Sequence, residues 1–125
     1  MSDVIFVNGL VPHAYHGVMP HEAKLGQPFT VDLVFDIDLA DASRTDTLKA
    51  TVSCETLVKV AGEAFSGRRY RLAGAAAGAV AEAVLAHWPK LRGIRVTVRK
   101  PHAPIGATFD DVGVTIERTR KCGHG

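Results

Sequence analysis

The stretch FTVDLVFDIDL, residues 29–39, decides the fold of this chain. Its apolar residues occupy every second position, and most of the residues between them are polar. Strict alternation with a period of two is typical of a β-strand that has one buried and one solvated face. The sequence therefore predicts a long strand over residues 29–39, in a sheet that is covered on one side.

A first strand precedes this one at residues 4–10, VIFVNGL, and ends before Pro12. A long loop rich in glycine and proline, residues 13–27, separates the two strands. Strands joined by a loop of this size predict an antiparallel pair without a tight hairpin turn. Because long loops in compact domains often carry function, this loop is a candidate functional element.

Apolar residues recur at helical spacing in two later stretches of the chain. The first follows Ser53, a favourable N-cap residue, and runs over residues 54–65 until Gly67. The second is rich in alanine, runs over residues 72–87 and stops at Trp88-Pro89. These patterns predict two helices between the second and third strands.

Two further strands are predicted at residues 94–100 and 112–118. The element order ββααββ predicts an α+β fold, in which one antiparallel four-stranded sheet carries both helices on one face. Such a sheet leaves its other face and its edges exposed. We expect the long strand at residues 29–39 to be an edge that pairs with a neighbouring subunit, so that an oligomer forms by continuing the sheet.

Length and composition indicate one ordinary globular domain. The chain has 125 residues, of which 46% are hydrophobic and 22% charged, as expected for a single hydrophobic core. Residues 1–120 are predicted to form this domain, and residues 121–125 a disordered tail. The net charge of +2 is too small to indicate a nucleic-acid partner. The most apolar run, residues 72–85, is too short to span a bilayer, so no membrane partner is expected.

The cysteine pattern favours a reduced, cytoplasmic location. Cys54 and Cys122 are far apart, lack the spacing of metal ligands and follow no secretory signal. Cys54 falls at the predicted N-terminus of the first long helix. Two alternatives remain open for it, a small core residue and a reactive thiol.

Lys100, at the end of the third predicted strand, is the first candidate for chemistry. Pro101 cannot donate to a ladder and favours an extended residue before it, so Lys100 is held where the sheet gives way to a loop. Residues 102–106, HAPIG, make that loop stiff and apolar. Partial burial beside such residues is one way to prepare a lysine for proton transfer. The alternative is a solvated surface lysine.

Two polar clusters give weaker signals. His13, His16 and His21 lie in the long loop, but their spacing is not helical and no companion cluster of ligands is present. We therefore predict no metal site. The segment Arg68–Arg71, RRYR, lies between the two helices, where a solvated basic turn is expected rather than a nucleic-acid site.

Short motifs follow one another in a fixed order over residues 3–118. In chain order they are Tyr15-His16-Gly17, Glu22, Gly26-Gln27-Pro28-Phe29, Arg44-Thr45-Asp46, Thr51-Val52, Arg71-Leu72, Val98-Arg99-Lys100-Pro101, Ala103-Pro104-Ile105 and Val112-Gly113-Val114. Together they resemble the dihydroneopterin aldolase family. The resemblance implies the tunnelling fold, in which ββααββ subunits form a ring of four around a closed barrel, as a homotetramer or a stacked homo-octamer. Its active sites lie between adjacent subunits.

The resemblance implies a carbon–carbon lyase of folate biosynthesis. Its reaction is the retro-aldol cleavage of 7,8-dihydroneopterin, a pterin, to 6-hydroxymethyl-7,8-dihydropterin and glycolaldehyde. No cofactor or metal is implied, because the imine of the dihydropterin takes the electrons of the broken bond. By resemblance, Lys100 is the general acid/base and Glu22 helps to bind and position the substrate. The backbone around Val52 and Ala73 would border the ring, while the alternative for Glu22 is a solvated loop carboxylate.

Two positions depart from the family pattern. Cys54 stands where the family usually has a tyrosine that takes part in proton delivery. By this correspondence, the resemblance places Cys54 among the catalytic residues. Gly74 stands where the family has a glutamate that anchors the pterin. The resemblance therefore places Gly74 among the substrate-binding residues. Losing such a contact costs about 2–5 kcal/mol of binding free energy. Glu82 is too far along the helix, roughly 12 Å, to replace it.

Three alternatives follow from these departures. The chain is an aldolase weakened at two positions, a divergent paralogue that acts on a different substrate, or a catalytically silent subunit kept for pterin binding or assembly.

Overall fold

The computed structural model of the chain describes residues 3–120. Its strands are β1 (Val4–Leu10), β2 (His13–Ala14), β3 (Gln27–Pro28), β4 (Thr30–Asp36), β5 (Gly93–Arg99) and β6 (Gly113–Thr119). Its helices are α1 (Pro20–Leu25), α2 (Ala40–Thr45), α3 (Cys54–Ser66) and α4 (Ala73–His87), with a 3₁₀ turn at Leu48–Ala50. The predicted ββααββ order is confirmed by β1, β4, α3, α4, β5 and β6. The predicted tail, residues 121–125, lies outside the described residues.

The main sheet has four strands in the order β1-β4-β5-β6, and each neighbouring pair is antiparallel. The strand β4 is therefore an inner strand, and the prediction that it forms an edge is wrong. Alternation reports which face of a strand is buried, and it is the same for an inner strand and an edge strand. After α4 the chain returns as β5, which pairs with β4 from Thr30↔Arg99 to Asp36↔Gly93. The edges of the sheet are β1 and β6.

Both long helices cover one face of the sheet, as predicted. α4 lies against β5 and β6, and α3 packs on α4. The inward side chains of β4 and β5 are buried, and they are Val31, Leu33, Phe35, Ile94, Val96 and Val98. The buried residues of α4 are small, and they are Ala76, Ala77, Val80, Ala81 and Val84. Small side chains let α4 lie close to the sheet. No helix within residues 3–120 is long and apolar enough to cross a membrane.

The opposite face of the sheet is polar and charged. Arg99 pairs with Asp32 at 3.0 Å and with Asp111 at 3.4 Å, and Arg95 pairs with Glu117 at 2.8 Å. Ion pairs at such a partly exposed surface are screened by water and add little to the free energy of unfolding. This face is therefore suited to water rather than to a second apolar layer.

The segment between β1 and β4 was predicted as an irregular loop, but it contains a short helix and a small sheet. β2 and β3 pair through His13↔Pro28 and Ala14↔Gln27, which brings the two ends of the segment together. Pro20 is the first residue of α1, where its missing N–H costs nothing, and Gly26 ends the helix with a φ of +70°. The proline and glycine that indicated a loop are thus helix start and stop signals.

His16 is fully buried and binds the connection between α3 and α4. The N–H of Tyr70 donates to its Nδ1 at 3.0 Å, so the ring proton is on Nε2, which donates to the carbonyl of Phe65 at 2.7 Å. Burial lowers the pKa of His16, the bond to Phe65 opposes this, and the charges of Lys100 and Arg69 lower the pKa further. His16 is therefore a neutral structural residue with both ring nitrogens occupied.

Arg69 ties the same connection to the segment that follows β2. Its Nε donates to the carbonyl of Tyr15 at 3.1 Å, and its Nη2 donates to the carbonyl of Gly17. The N–H of Gly17 donates in turn to the carbonyl of Tyr70 at 3.0 Å. Arg68, Arg69 and Arg71 are exposed, as predicted for this basic turn, and the guanidinium of Arg69 also binds two backbone carbonyls.

Gly113, the first residue of β6, lies where the backbone of β5 comes very close. A Cβ at this position would lie 2.0 Å from the carbonyl oxygen of Val98 and 3.0 Å from the Cα of Arg99. We expect Gly113→Ala to lower the free energy of unfolding by about 3 kcal/mol, because the backbone must move. Urea unfolding followed by circular dichroism measures the change.

The matched control for this prediction is Gly62→Ala, in α3. A Cβ on Gly62 meets nothing within 4 Å, so alanine should raise the free energy of unfolding by about 0.5–1 kcal/mol. Equal stabilities of the two variants would contradict the close approach of β5 to β6.

Candidate active site

Lys100 lies at the end of β5 and turns its side chain inward. Its N–H donates to the carbonyl of Val112 at 2.7 Å, and Pro101 follows it, so the backbone is fixed at the strand end. Its Nζ lies 2.6 Å from Oε2 of Glu22, and only 17% of its side-chain surface is exposed. The alternative of a solvated surface lysine is therefore wrong.

Glu22 lies in α1, and its buried carboxylate accepts bonds from three donors. Besides Lys100, the N–H of Met19 donates to Oε1 at 3.1 Å and Nε2 of Gln27 donates to Oε2 at 2.8 Å. Burial raises the pKa of Glu22, but the bonds from Lys100, Met19 and Gln27 lower it more, so the net pKa lies below that of an ordinary glutamate. Glu22 is thus an oriented anion, and the alternative of a solvated loop carboxylate is wrong.

Gly17 makes room for this carboxylate. Its φ is +142°, and a Cβ would lie 2.3 Å from the carboxyl carbon of Glu22. A Cβ on Gly26 would lie 2.5 Å from Nε2 of His13 and 2.9 Å from the ring of Tyr15. The glycines of these two motifs therefore let the segment between β1 and β4 fold back around Glu22.

A cavity of about 350 Å³ lies against the Lys100–Glu22 pair. Its other walls are apolar and come from the segment around α1, the start of α4, the β5–β6 connection and β6, with Val18, Met19, Ala73, Ile105, Val112 and Val114 among them. The charged side chains among its lining residues are Lys100 and Glu22. This arrangement can hold a small organic ring against apolar walls and exchange protons with it at one side.

Two predicted site residues lie at the start of α4. Ala73 is the first residue of the helix and lines the cavity beside Lys100 and Glu22. Gly74 follows it but does not line the cavity. A Cβ on Gly74 would meet nothing within 4 Å, so the position faces open space.

Val52 and Cys54, the other predicted site residues, do not line the cavity of this subunit. Val52 is buried just before α3. Cys54 is the first residue of α3 and its thiol is free and exposed, so the alternative of a small core residue is wrong. One subunit alone therefore brings together Glu22, Lys100 and Ala73.

Gln27 and Met19 bind Glu22, although sequence reasoning assigned no role to either. The sequence does contain a signal that Gln27 is buried. The alternation of buried residues in β4 extends backwards from Val31 through Phe29 to Gln27. Pro28 and Gly26 interrupt the strand pattern and hide this continuation. The bond from Met19 uses its backbone N–H, which no side-chain pattern reports.

The histidines of the segment before β4 do not converge on a metal site. His16 is bonded at both ring nitrogens, and Nε2 of His13 lies 3.3 Å from the carbonyl of Leu25. Within residues 3–120, no group of three or more histidine, cysteine, aspartate or glutamate side chains is placed to hold a metal ion.

Known proteins are similar to this chain in sequence and in fold. The family model described as FolB dihydroneopterin aldolase matches residues 5–117. A dihydroneopterin aldolase of Methylorubrum extorquens is 42% identical over 120 residues, which cover 96% of this chain and 92% of that protein. A dihydroneopterin aldolase of Bacillus subtilis is 34% identical over 118 residues, which cover 94% of this chain and 98% of that protein.

A solved structure agrees with these relatives. The crystal structure of Escherichia coli dihydroneopterin aldolase in complex with neopterin matches with a TM-score of 0.84 and 28% identity. The match covers 93% of this chain and 98% of that one. Because the family model, the relatives and the structure all span nearly the whole chain, the chain belongs to the dihydroneopterin aldolase family.

Proposed function

We propose that this chain cleaves 7,8-dihydroneopterin by a retro-aldol reaction, giving 6-hydroxymethyl-7,8-dihydropterin and glycolaldehyde. Lys100 transfers the protons and Glu22 is the anion that holds it, and the two are together called the proton-transfer pair. The observation that supports this most is the buried ion pair itself, 2.6 Å long, at one side of an otherwise apolar cavity. Membership of the family supplies the reaction class. A pterin has an apolar ring face for the walls and polar edge groups for the pair.

The reaction moves protons at three atoms of the substrate. The proton of the middle side-chain hydroxyl is lost as its carbon becomes the aldehyde, and the electrons of the broken carbon–carbon bond enter the ring imine. The ammonium of Lys100 donates a proton to the imine nitrogen, and the amine that remains accepts the hydroxyl proton. The ring proton then moves to the exocyclic carbon to give the hydroxymethyl product. Glu22 stays ionised throughout and holds Lys100 in place.

We infer that a neighbouring subunit completes the site with Val52 and Cys54. Neither residue lines the cavity of its own subunit, whereas Val18, Leu72 and Ile105 near the cavity are exposed. Exposed apolar residues that cluster in this way are typical of a surface covered by a partner. A homotetramer that pairs β1 with β6 between subunits, or a homo-octamer of two such rings, would cover them and enclose the charged sheet face in a water-filled barrel.

Gly74 gives reason to keep a second candidate function. Glycine offers no side-chain acceptor at this position, and the acidic residue that lines the cavity is Glu22, which already binds Lys100. The second candidate is a divergent paralogue that acts on another ring compound, or a silent subunit that binds pterins without cleaving them. Product analysis separates these functions from the aldolase reaction.

We also infer that residues 1–120 act as a single domain and that the chain works in the cytoplasm. The described residues share one hydrophobic core. The exposed free thiol of Cys54 supports a reducing compartment, where such thiols persist.

Replacing Lys100 separates chemistry from binding. We expect Lys100→Arg to lower kcat for 7,8-dihydroneopterin by about 10²–10⁴-fold, because a guanidinium stays protonated and cannot accept a proton. Pterin affinity, measured by fluorescence titration, should change much less, since a general acid/base acts in the transition state.

Lys100→Arg is also the control for folding, because it keeps a positive charge beside the buried Glu22. Lys100→Ala should lose the same turnover and also lose stability, because it leaves that anion unpaired. An undiminished kcat in either variant would remove Lys100 from the mechanism.

Restoring a carboxylate at Gly74 should act on binding instead. We expect Gly74→Glu to tighten neopterin binding by about tenfold to a thousandfold, because an anion can accept bonds from the amino and N–H groups of a pterin. The helix should accept the change, since the position is open and glutamate is favourable near a helix N-terminus. Gly74→Gln, similar in size but neutral, is the control. An unchanged affinity in Gly74→Glu would show that this position does not face the pterin.

A further inference from the structure

We propose that Gln27 is a positioning residue for the proton-transfer pair, because its side-chain amide holds the carboxylate of Glu22 in the orientation that binds the ammonium of Lys100. This inference rests on the function proposed for that pair. Gln27 does not line the cavity, so it acts through Glu22 rather than on a substrate.

The contacts of Glu22 fix its carboxylate from three directions. Oε2 accepts both Nε2 of Gln27 at 2.8 Å and Nζ of Lys100 at 2.6 Å. Oε1 accepts the N–H of Met19 at 3.1 Å. Donors on both oxygens prevent rotation of the carboxylate plane, and without Gln27 the oxygen that binds Lys100 would lose its second anchor.

The orientation of the Gln27 amide is set by its hydrogen bond to Glu22. An ionised carboxylate only accepts hydrogen bonds, so the amide must present its NH₂ group to Glu22. As a result Oε1 of Gln27 is buried and accepts no hydrogen bond from residues 3–120. A buried acceptor without a donor destabilises a fold, so packing alone would be better served by an apolar side chain of the same length. The donation to Glu22 accounts for an amide at this position.

Gln27 is buried in a short sheet, and the charged side chain that shares its acceptor is Lys100. Gln27 pairs with Ala14 in the β2–β3 ladder and points inward. The charged group that acts on Glu22 is Lys100, from the end of β5. Lys100 and Arg69, from the α3–α4 connection, act in turn on His16, which follows β2. Gln27 is the neutral side-chain donor to Glu22, beside the backbone N–H of Met19, so replacing it with a neutral side chain changes no charge.

The test is Gln27→Met, which keeps the side-chain length and removes both amide groups. Carbon-13 NMR of protein labelled at glutamate carboxyl carbons follows the titration of Glu22 directly and needs no turnover. We expect the pKa of Glu22 to rise in Gln27→Met, because the ionised form loses a donor.

Activity should respond in the same variant. The kcat/KM for 7,8-dihydroneopterin should fall on the order of tenfold, and the acid limb of its pH profile should move to higher pH. The midpoint of thermal unfolding should change little, because removal of the unsatisfied acceptor Oε1 offsets the donor that Glu22 loses. A role in folding alone would move the unfolding midpoint downward and leave the pH profile in place.

Lys24→Met is the matched control, since Lys24 is an exposed residue of α1 and makes no hydrogen bond to Glu22. It should leave the titration and the pH profile unchanged. Gln27→Glu is a second variant of the same size, in which a carboxylate replaces the donor and should also raise the pKa of Glu22.

A Glu22 titration in both Gln27 variants that matches the unmodified protein would overturn the proposal. Absence of turnover in the unmodified protein would refute the proposed function alone, because the NMR titration still reads the contact between Gln27 and Glu22.

Discussion

The buried ion pair between Lys100 and Glu22 is the interaction on which the structure around the cavity depends. Two charges removed from water are costly unless each is paired and hydrogen-bonded. The chain meets this requirement from segments that are far apart in sequence, with Met19 before α1, Gln27 in β3 and Lys100 after β5. Gly17 leaves the space that the carboxylate fills. The segment between β1 and β4 is therefore ordered around a buried charge as well as around the aromatic contacts of His16.

The same segment is bound to the two long helices through backbone groups. His16 and Arg69 connect residues 15–17 to the turn between α3 and α4, and α4 begins shortly after that turn. This places Ala73 against the cavity that Glu22 and Lys100 line. The position of the pair and the position of the helix N-terminus are thus fixed by one set of hydrogen bonds, and a change at His16 or Arg69 would disturb both.

The sequence predicted those features that depend on local pattern. The alternation of residues 29–39 predicted β4 because burial of one face imposes a period of two, and Pro101 predicted the strand end at Lys100. Features that depend on tertiary placement were missed. Whether β4 is an edge depends on where β5 returns, and the exposure of Cys54 depends on where α3 begins against its neighbours. Gln27 was missed because Gly26 and Pro28 break the strand pattern around it.

The central claim is that Lys100, held by Glu22, performs the proton transfers of the aldol cleavage in a chain that has Gly74 and Cys54. The most direct measurement is identification by mass spectrometry of the products that the unmodified protein forms from 7,8-dihydroneopterin in the presence of a metal chelator. We expect 6-hydroxymethyl-7,8-dihydropterin and glycolaldehyde in equal amounts. Binding of the pterin without formation of either product would contradict the claim.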